Sequence, residues 1–183
     1  DGGGGDEQWA HGAVWPHAAL LPRHDNVVQL HGICRPLAGQ RSPTIVLELC
    51  TYGSLATRLY AGAEHERLPL TRAQRLRIAQ HVARGVMHLH DNAIVHGDVS
   101  ARRVLLSASV DAHAHDVEYV AKLNGDYGLA TDDAAAPLRP ERFTSPPARS
   151  AALRHMAPEL AQSNLVSLKS DVWAFGCLLY EVF

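Results

Sequence analysis

Ile94-Val95-His96-Gly97-Asp98-Val99-Ser100-Ala101-Arg102-Arg103-Val104-Leu105-Leu106 is the segment on which the reading of this chain turns. It sets a His and an Asp two residues apart around a Gly, then closes on a short apolar run that reads as a strand. Upstream, residues 71–91 give the clearest helix. Thr71 with Gln74 forms a capping box, in which the two side chains satisfy free backbone N–H groups reciprocally. Leu76, Ala79, Val82, Ala83, Val86 and Met87 recur at three- and four-residue spacing and predict one apolar face. Such a helix would pack beneath the 94–106 loop and hold it still. Downstream, residues 104–107 and 118–123 predict a hairpin pair. Their long polar connection holds His113, His115 and Asp116. An Asp on a loop is usually a turn or cap residue, so Asp98 carries chemistry only in company.

The rest of the chain supplies that company. Residues 27–34 and 43–50 are rich in Val, Ile and Leu and read as strands, with a turn over 38–42. Residues 170–183 are apolar nearly all round, which predicts a fully buried helix. Residues 1–22 are the least defined part. Gly2 to Gly5 read as a linker, and Pro16 and Pro22 limit any helix between them. The 183 residues carry a net charge of −2, which gives no electrostatic case for nucleic acid. Three scattered cysteines fit a reducing compartment better than a disulfide framework. No apolar run reaches the roughly 18 residues of a membrane span. Twelve histidines invite a metal site, but His88 and His90 lie two apart on a helix and point to different faces.

Six segments in order resemble the protein kinase family. They are His24-Asp25-Asn26-Val27-Val28-Gln29-Leu30-His31-Gly32, Thr44 to Leu49, the 94–106 loop, Lys122 to Ala130 with Asp126-Tyr127-Gly128, Met156-Ala157-Pro158-Glu159, and Lys169 to Gly176. The loop resembles H-R-D-L-x-x-x-N, and Asp126-Tyr127-Gly128 resembles D-F-G. The likeness leans to the tyrosine kinases and the tyrosine-kinase-like Ser/Thr group, partly through Arg102. It implies an α+β fold with a partial small β lobe and a helical large lobe. Residues 1–22 would be an N-terminal segment with a remnant small-lobe helix. Residues 23–50 would be partial small lobe and hinge. Residues 51–183 would be a large lobe ending within its central buried helix.

The resemblance also implies chemistry. Asp98 takes the base position, with Arg102 beside it as a second catalytic residue. Asp126 takes the position of a Mg²⁺ ligand, a carboxylate for a hard cation. Leu47, Glu48 and Cys50 take hinge positions around the purine of ATP, with Leu105 as its floor. The implied function is ATP-dependent phosphorylation of protein Ser, Thr or Tyr hydroxyls by the parent protein, in the cytoplasm or on the cytoplasmic face of a membrane. Its partner would be a protein, as substrate or as regulator.

Two departures keep an alternative open, a pseudokinase that acts as an interaction or allosteric module. Gly97 stands where the family has Arg. Arg103 stands where the family has a metal-binding Asn, and it offers only donors and a permanent charge. Two like charges about 4 Å apart repel by roughly 4 kcal/mol at an effective dielectric near 20, so two-metal binding should suffer. The Gly-rich loop and the strand bearing the ATP-anchoring Lys do not occur in these 183 residues. The chain alone is therefore expected to show no turnover.

Overall fold

A computed structural model describes residues 22–34, 44–60, 69–108, 117–125, 152–163 and 166–183. Its elements follow the order β1 (Leu30–Cys34), β2 (Thr44–Leu47), α1 (Leu55–Tyr60), α2 (Arg72–Asp91), β3 (Val104–Ala108), β4 (Tyr119–Leu123), a 3-10 turn (Ala152–His155), α3 (Pro158–Ser163) and α4 (Leu168–Val182). The strands form two antiparallel pairs, β1 with β2 and β3 with β4. The expected α+β character holds. The remnant helix before residue 22, the 38–42 turn and the polar 109–116 connection lie outside the described residues.

Helix α2 starts where the capping box placed it. Thr71 Oγ1 accepts from the Gln74 N–H, and Gln74 Oε1 accepts from the Thr71 N–H. Gln74 Nε2 also donates to the Val117 carbonyl, which ties the helix start to the entry of β4. The buried face differs from the expected one. Ile78, Val82, Gly85, Val86 and Leu89 are buried, while Leu76 and Met87 are 48% and 59% exposed and Ala83 is also exposed. Two apolar rows at helical spacing compete on this helix, and β4 covers the one centred on Ile78 and Val82. Each such Ile, Val or Leu contributes about 1.5–3 kcal/mol when fully buried.

Gly85 sits inside α2, where Gly costs about 1 kcal/mol relative to Ala. A Cβ there would lie 2.6 Å from the Asn26 carbonyl oxygen and 2.9 Å from Leu123 Cδ1. Its absence lets residues 24–28 run directly over the helix. That segment is then fastened to β4. The Val28 N–H donates to Leu123 O, the Leu123 N–H donates to Asn26 O, and Asn26 Nδ2 donates to Ala121 O. The stretch resembling the family's link between small-lobe helix and strand thus grips the strand leading to Asp126.

Strands β3 and β4 pair from Val104↔Leu123 to Ala108↔Tyr119, with alternate residues buried. The chain leaving β2 returns alongside β3. The Tyr52 N–H donates to Leu106 O, and the Leu106 N–H donates to Gly53 O. Gly53 makes this turn at φ +71°, a conformation only Gly adopts without strain.

Helix α4 begins at Leu168 behind a Ser167–Ser170 capping box, earlier than residue 170. Ser170, Asp171, Ala174, Leu178 and Val182 are buried. Its expected burial all round is corrected: Val172, Trp173, Tyr180 and Phe183 are 48–90% exposed. Apolar composition shows that a helix can be buried, whereas actual burial needs neighbours. Among the described residues, α2 and the Ala152–His155 turn meet only one face. All three cysteines are free thiols.

Candidate active site

The loop between α2 and β3 takes its shape from one carboxylate on a distant helix. Asp171 is 1% exposed. Its Oδ2 accepts from the His96 N–H at 2.8 Å and its Oδ1 from the Gly97 N–H at 2.8 Å. His90 Nε2 lies 3.0 Å from Oδ2. A buried charge is tolerated when hydrogen bonds replace its water, and bonds to a charged group are the strong ones. Gly97 stands at φ +78°, so this clamp holds a backbone turn that a side chain would strain.

His96 lies beneath the loop, 6% exposed, and its Nδ1 accepts from the Asp98 N–H at 3.1 Å. Burial pushes the imidazole below its usual 6.5, against the pull of Asp171 and Asp98. A neutral ring is what an accepting Nδ1 requires. Val99 and Ala101 are buried, and Ala101 O accepts the Ala56 N–H of α1. The loop is therefore fixed from below by α4, within by His96 and at its side by α1.

Asp98 emerges from this frame with its carboxylate occupied. Arg103 Nε donates to Oδ2 at 2.8 Å, and Ser100 Oγ lies 3.4 Å from Oδ1. The two ion-pair side chains are 29% and 33% exposed. The turn bringing Arg103 back is closed by its N–H on Ser100 O, and the Asn124 N–H then donates to Arg103 O. Arg103 thus turns back onto Asp98, a pairing that its position in the motif did not foretell. Asp126, with Tyr127 and Gly128, lies outside the described residues. The donor set around Asp98 does not suit a second divalent cation, because Arg103 brings N–H donors and a positive charge.

The four expected nucleotide-framing residues lie on adjoining segments. Leu105 is half-buried rather than fully buried, and it bridges Ser54 just beyond the hinge. Leu47 is 42% exposed. The Glu48 carboxylate meets Lys122 Nζ at 2.8 Å and accepts the Gln29 N–H. Burial alone would raise its pKa, but Lys122 and the Gln29 N–H outweigh that and hold it below the usual 4.5. Burial pushes the Cys50 thiol up, opposed by a hydrogen bond with Ser107. Arg102 is exposed and faces a cavity shared with Arg154.

Sequence reading missed three of these contacts. The Asp171 clamp had a signal in its motif but no stated target. His90 was weighed only as a metal ligand. The Glu48–Lys122 pair spans 74 positions, and nothing in local spacing foretells it.

The fold and loop are those of a protein kinase domain. The chain matches the family model described as protein tyrosine and serine/threonine kinase over residues 18–183, and it belongs to that family. It is 34% identical to the mouse leukocyte tyrosine kinase receptor over 165 residues, which are 87% of this chain and 17% of that protein. It is 33% identical to the mouse tyrosine-protein kinase Srms over 165 residues, 88% of this chain and 28% of that protein. It is 34% identical to the human inactive tyrosine-protein kinase 7 over 164 residues, 87% of this chain and 14% of that protein. The chain spans well under a third of these relatives' lengths. Among the described residues, no helix is long and apolar enough to cross a membrane.

Proposed function

We propose that this chain carries the active-site loop of a kinase-fold domain in which phosphoryl transfer is attenuated and interaction with protein partners is the main role. One observation carries this reading: Arg103 Nε sits 2.8 Å from Asp98 Oδ2. In this family, transfer uses ATP and Mg²⁺, and the loop aspartate accepts or orients the substrate hydroxyl proton. A carboxylate oxygen held by a guanidinium is a poorer acceptor for that proton. The same guanidinium places a fixed cation where a second metal would bind. Leu47, Glu48, Cys50 and Leu105 would frame the purine, Asp126 would remain as the Mg²⁺ ligand, and Arg103 would face the phosphates. The likeness to a relative whose name declares it inactive supports the same reading.

A second reading, protein phosphorylation by the parent protein, draws support from the Asp171 clamp. That clamp keeps the His96–Asp98 loop in a defined shape, and Arg102 beside it would help to place the acceptor. A fluorescent ATP analogue, titrated with and without Mg²⁺, separates the two. The wild-type chain should bind with weak Mg²⁺ dependence, and Arg103→Asn should make binding Mg²⁺-dependent. Tight Mg²⁺-dependent binding unaffected by Arg103→Asn, together with transfer abolished by Asp98→Asn, would establish the second reading instead.

A further inference from the structure

Three half-buried histidines line the seam between the 22–28 segment, α2 and β4. His24 belongs to the segment, while His81 and His88 lie two turns apart along one face of α2. The His24 and His88 rings stack, with centroids 4.5 Å apart and planes 16° from parallel. His88 Nε2 lies 3.0 Å from the Pro22 carbonyl oxygen. A carbonyl only accepts, so that nitrogen carries the proton. The stack therefore fastens the start of the segment to the last turn of α2.

The other two rings act as acceptors. His24 Nδ1 accepts from the Asn26 N–H at 3.1 Å, and His81 Nδ1 accepts from the Ala121 N–H of β4 at 3.3 Å. An imidazolium carries N–H on both nitrogens, so protonating either ring sets donor against donor. Protonating both stacked rings also sets two cations face to face. The surrounding charges reinforce this. Arg84 of α2 bears on His24 and His81, Arg77 of α2 on His81, and Lys122 of β4 on His24, while Asp25 pulls the other way on both. Arg77 is itself paired with Glu118. On α2, His88 has Arg84 four residues before it and the exposed Asp91 three residues after it. Burial is the largest cause, and it pushes His24 and His81 below the usual 6.5.

We propose that the His24–His88 stack, with His81 beside it, is an acid-sensitive latch that holds the 22–28 segment on α2 and β4 and releases it when the rings are protonated. The two acceptor rings are neutral while latched and regain their usual proton affinity on release. The latch is therefore full above pH 6.5 and weakens as the pH falls below it. The Glu48–Lys122 pair keeps its charges in that range, because Glu48 is held below its usual 4.5. Release is thus confined to the histidine side of the segment. It loosens the grip on β4, the strand that leads to Asp126. The latch involves neither Asp98 nor Arg103.

Amide hydrogen exchange on the whole chain at about pH 7.5 and about pH 5.5, corrected for the intrinsic pH dependence of exchange, tests this. The readouts are the Val28 and Leu123 N–H groups, whose acceptors are the Leu123 and Asn26 carbonyls rather than a histidine. About one pH unit below 6.5, each ring kept neutral by the latch shifts the opening equilibrium by up to roughly tenfold. Both amides should exchange about fivefold faster or more at the lower pH, and there faster than the α2 amides of Ile78 and Val82. His24→Asn keeps a side-chain acceptor for the Asn26 N–H without titrating in this range. His88→Phe keeps a ring in the stack. Each variant should cut the acid effect about twofold or more, and they are made separately so that one remains if the other fails to fold. Val28 and Leu123 amides that only keep pace with Ile78 and Val82 open by global unfolding alone. That result, or an acid effect unchanged in the variants, would overturn the latch.

Discussion

Replacing Asp171 by Asn removes one negative charge and almost no volume. The carboxylate accepts from two backbone N–H groups and lies within hydrogen-bond reach of a third nitrogen, at 2.8, 2.8 and 3.0 Å. An Asn has one acceptor oxygen. Whichever way its amide turns, the NH₂ faces either the His96 or the Gly97 N–H, donor against donor. Hydrogen bonds to charged groups contribute about 1.5–3 kcal/mol each, and a buried donor left unsatisfied costs about 1–3 kcal/mol. Asp171→Asn should therefore lower unfolding free energy by about 2–4 kcal/mol, a large share of the 5–15 kcal/mol typical of a domain. Urea unfolding followed by tryptophan fluorescence measures it, with Trp173 two residues away. Amide exchange adds a local readout, because the His96 and Gly97 N–H groups should exchange at least tenfold faster while the amides of α2 keep their protection. A loss below about 1 kcal/mol, or unchanged protection at those two amides, would refute the claim that this carboxylate shapes the loop.

Other expectations follow from single positions. Gly85→Ala should destabilise by about 1–3 kcal/mol in urea unfolding despite Ala's better helix propensity, because the new methyl meets the Asn26 carbonyl. Ala93 ends the turn after α2 at φ +57°, so Ala93→Gly should raise stability by up to about 1 kcal/mol; a loss would mean the turn is not held there. Burial is the first cause lowering His24, His81 and His96 below the usual 6.5. The unfolded chain then takes up protons before the folded one, so stability should be full above pH 6.5 and fall as the solution is acidified below it. Denaturation midpoints across that range check the sign, and a chain that gains stability on acidification would contradict it.

Some elements were legible because their signals are local. The Thr71–Gln74 box fixed the start of α2, since both partners lie within one turn. The two short segments at 104–107 and 118–123 read as a hairpin pair, and β3 and β4 do pair antiparallel. Which face of α2 is buried was not legible. Leu76, Ala83 and Met87 satisfy helical spacing as well as Ile78, Val82 and Leu89 do, and only the position of β4 separates the two rows. The exposed side of α4 was misread for a related reason, since composition carries no information about which neighbours are present.

The candidate site divides along the same line. The sequence alone determined the family, the loop carrying His96, Asp98 and Arg103, and the unusual Arg at the Asn position, because motif order and residue chemistry are written along the chain. Only the tertiary structure decided that Arg103 turns back onto Asp98, that Asp171 reads the loop's backbone from 74 and 75 positions away, and that Arg102 and Arg154 share a cavity with His155. Contacts between residues so far apart in sequence depend on how helices and strands pack. A carboxylate's partners are set by which donors the fold brings within 3 Å or so, and no local pattern encodes that distance.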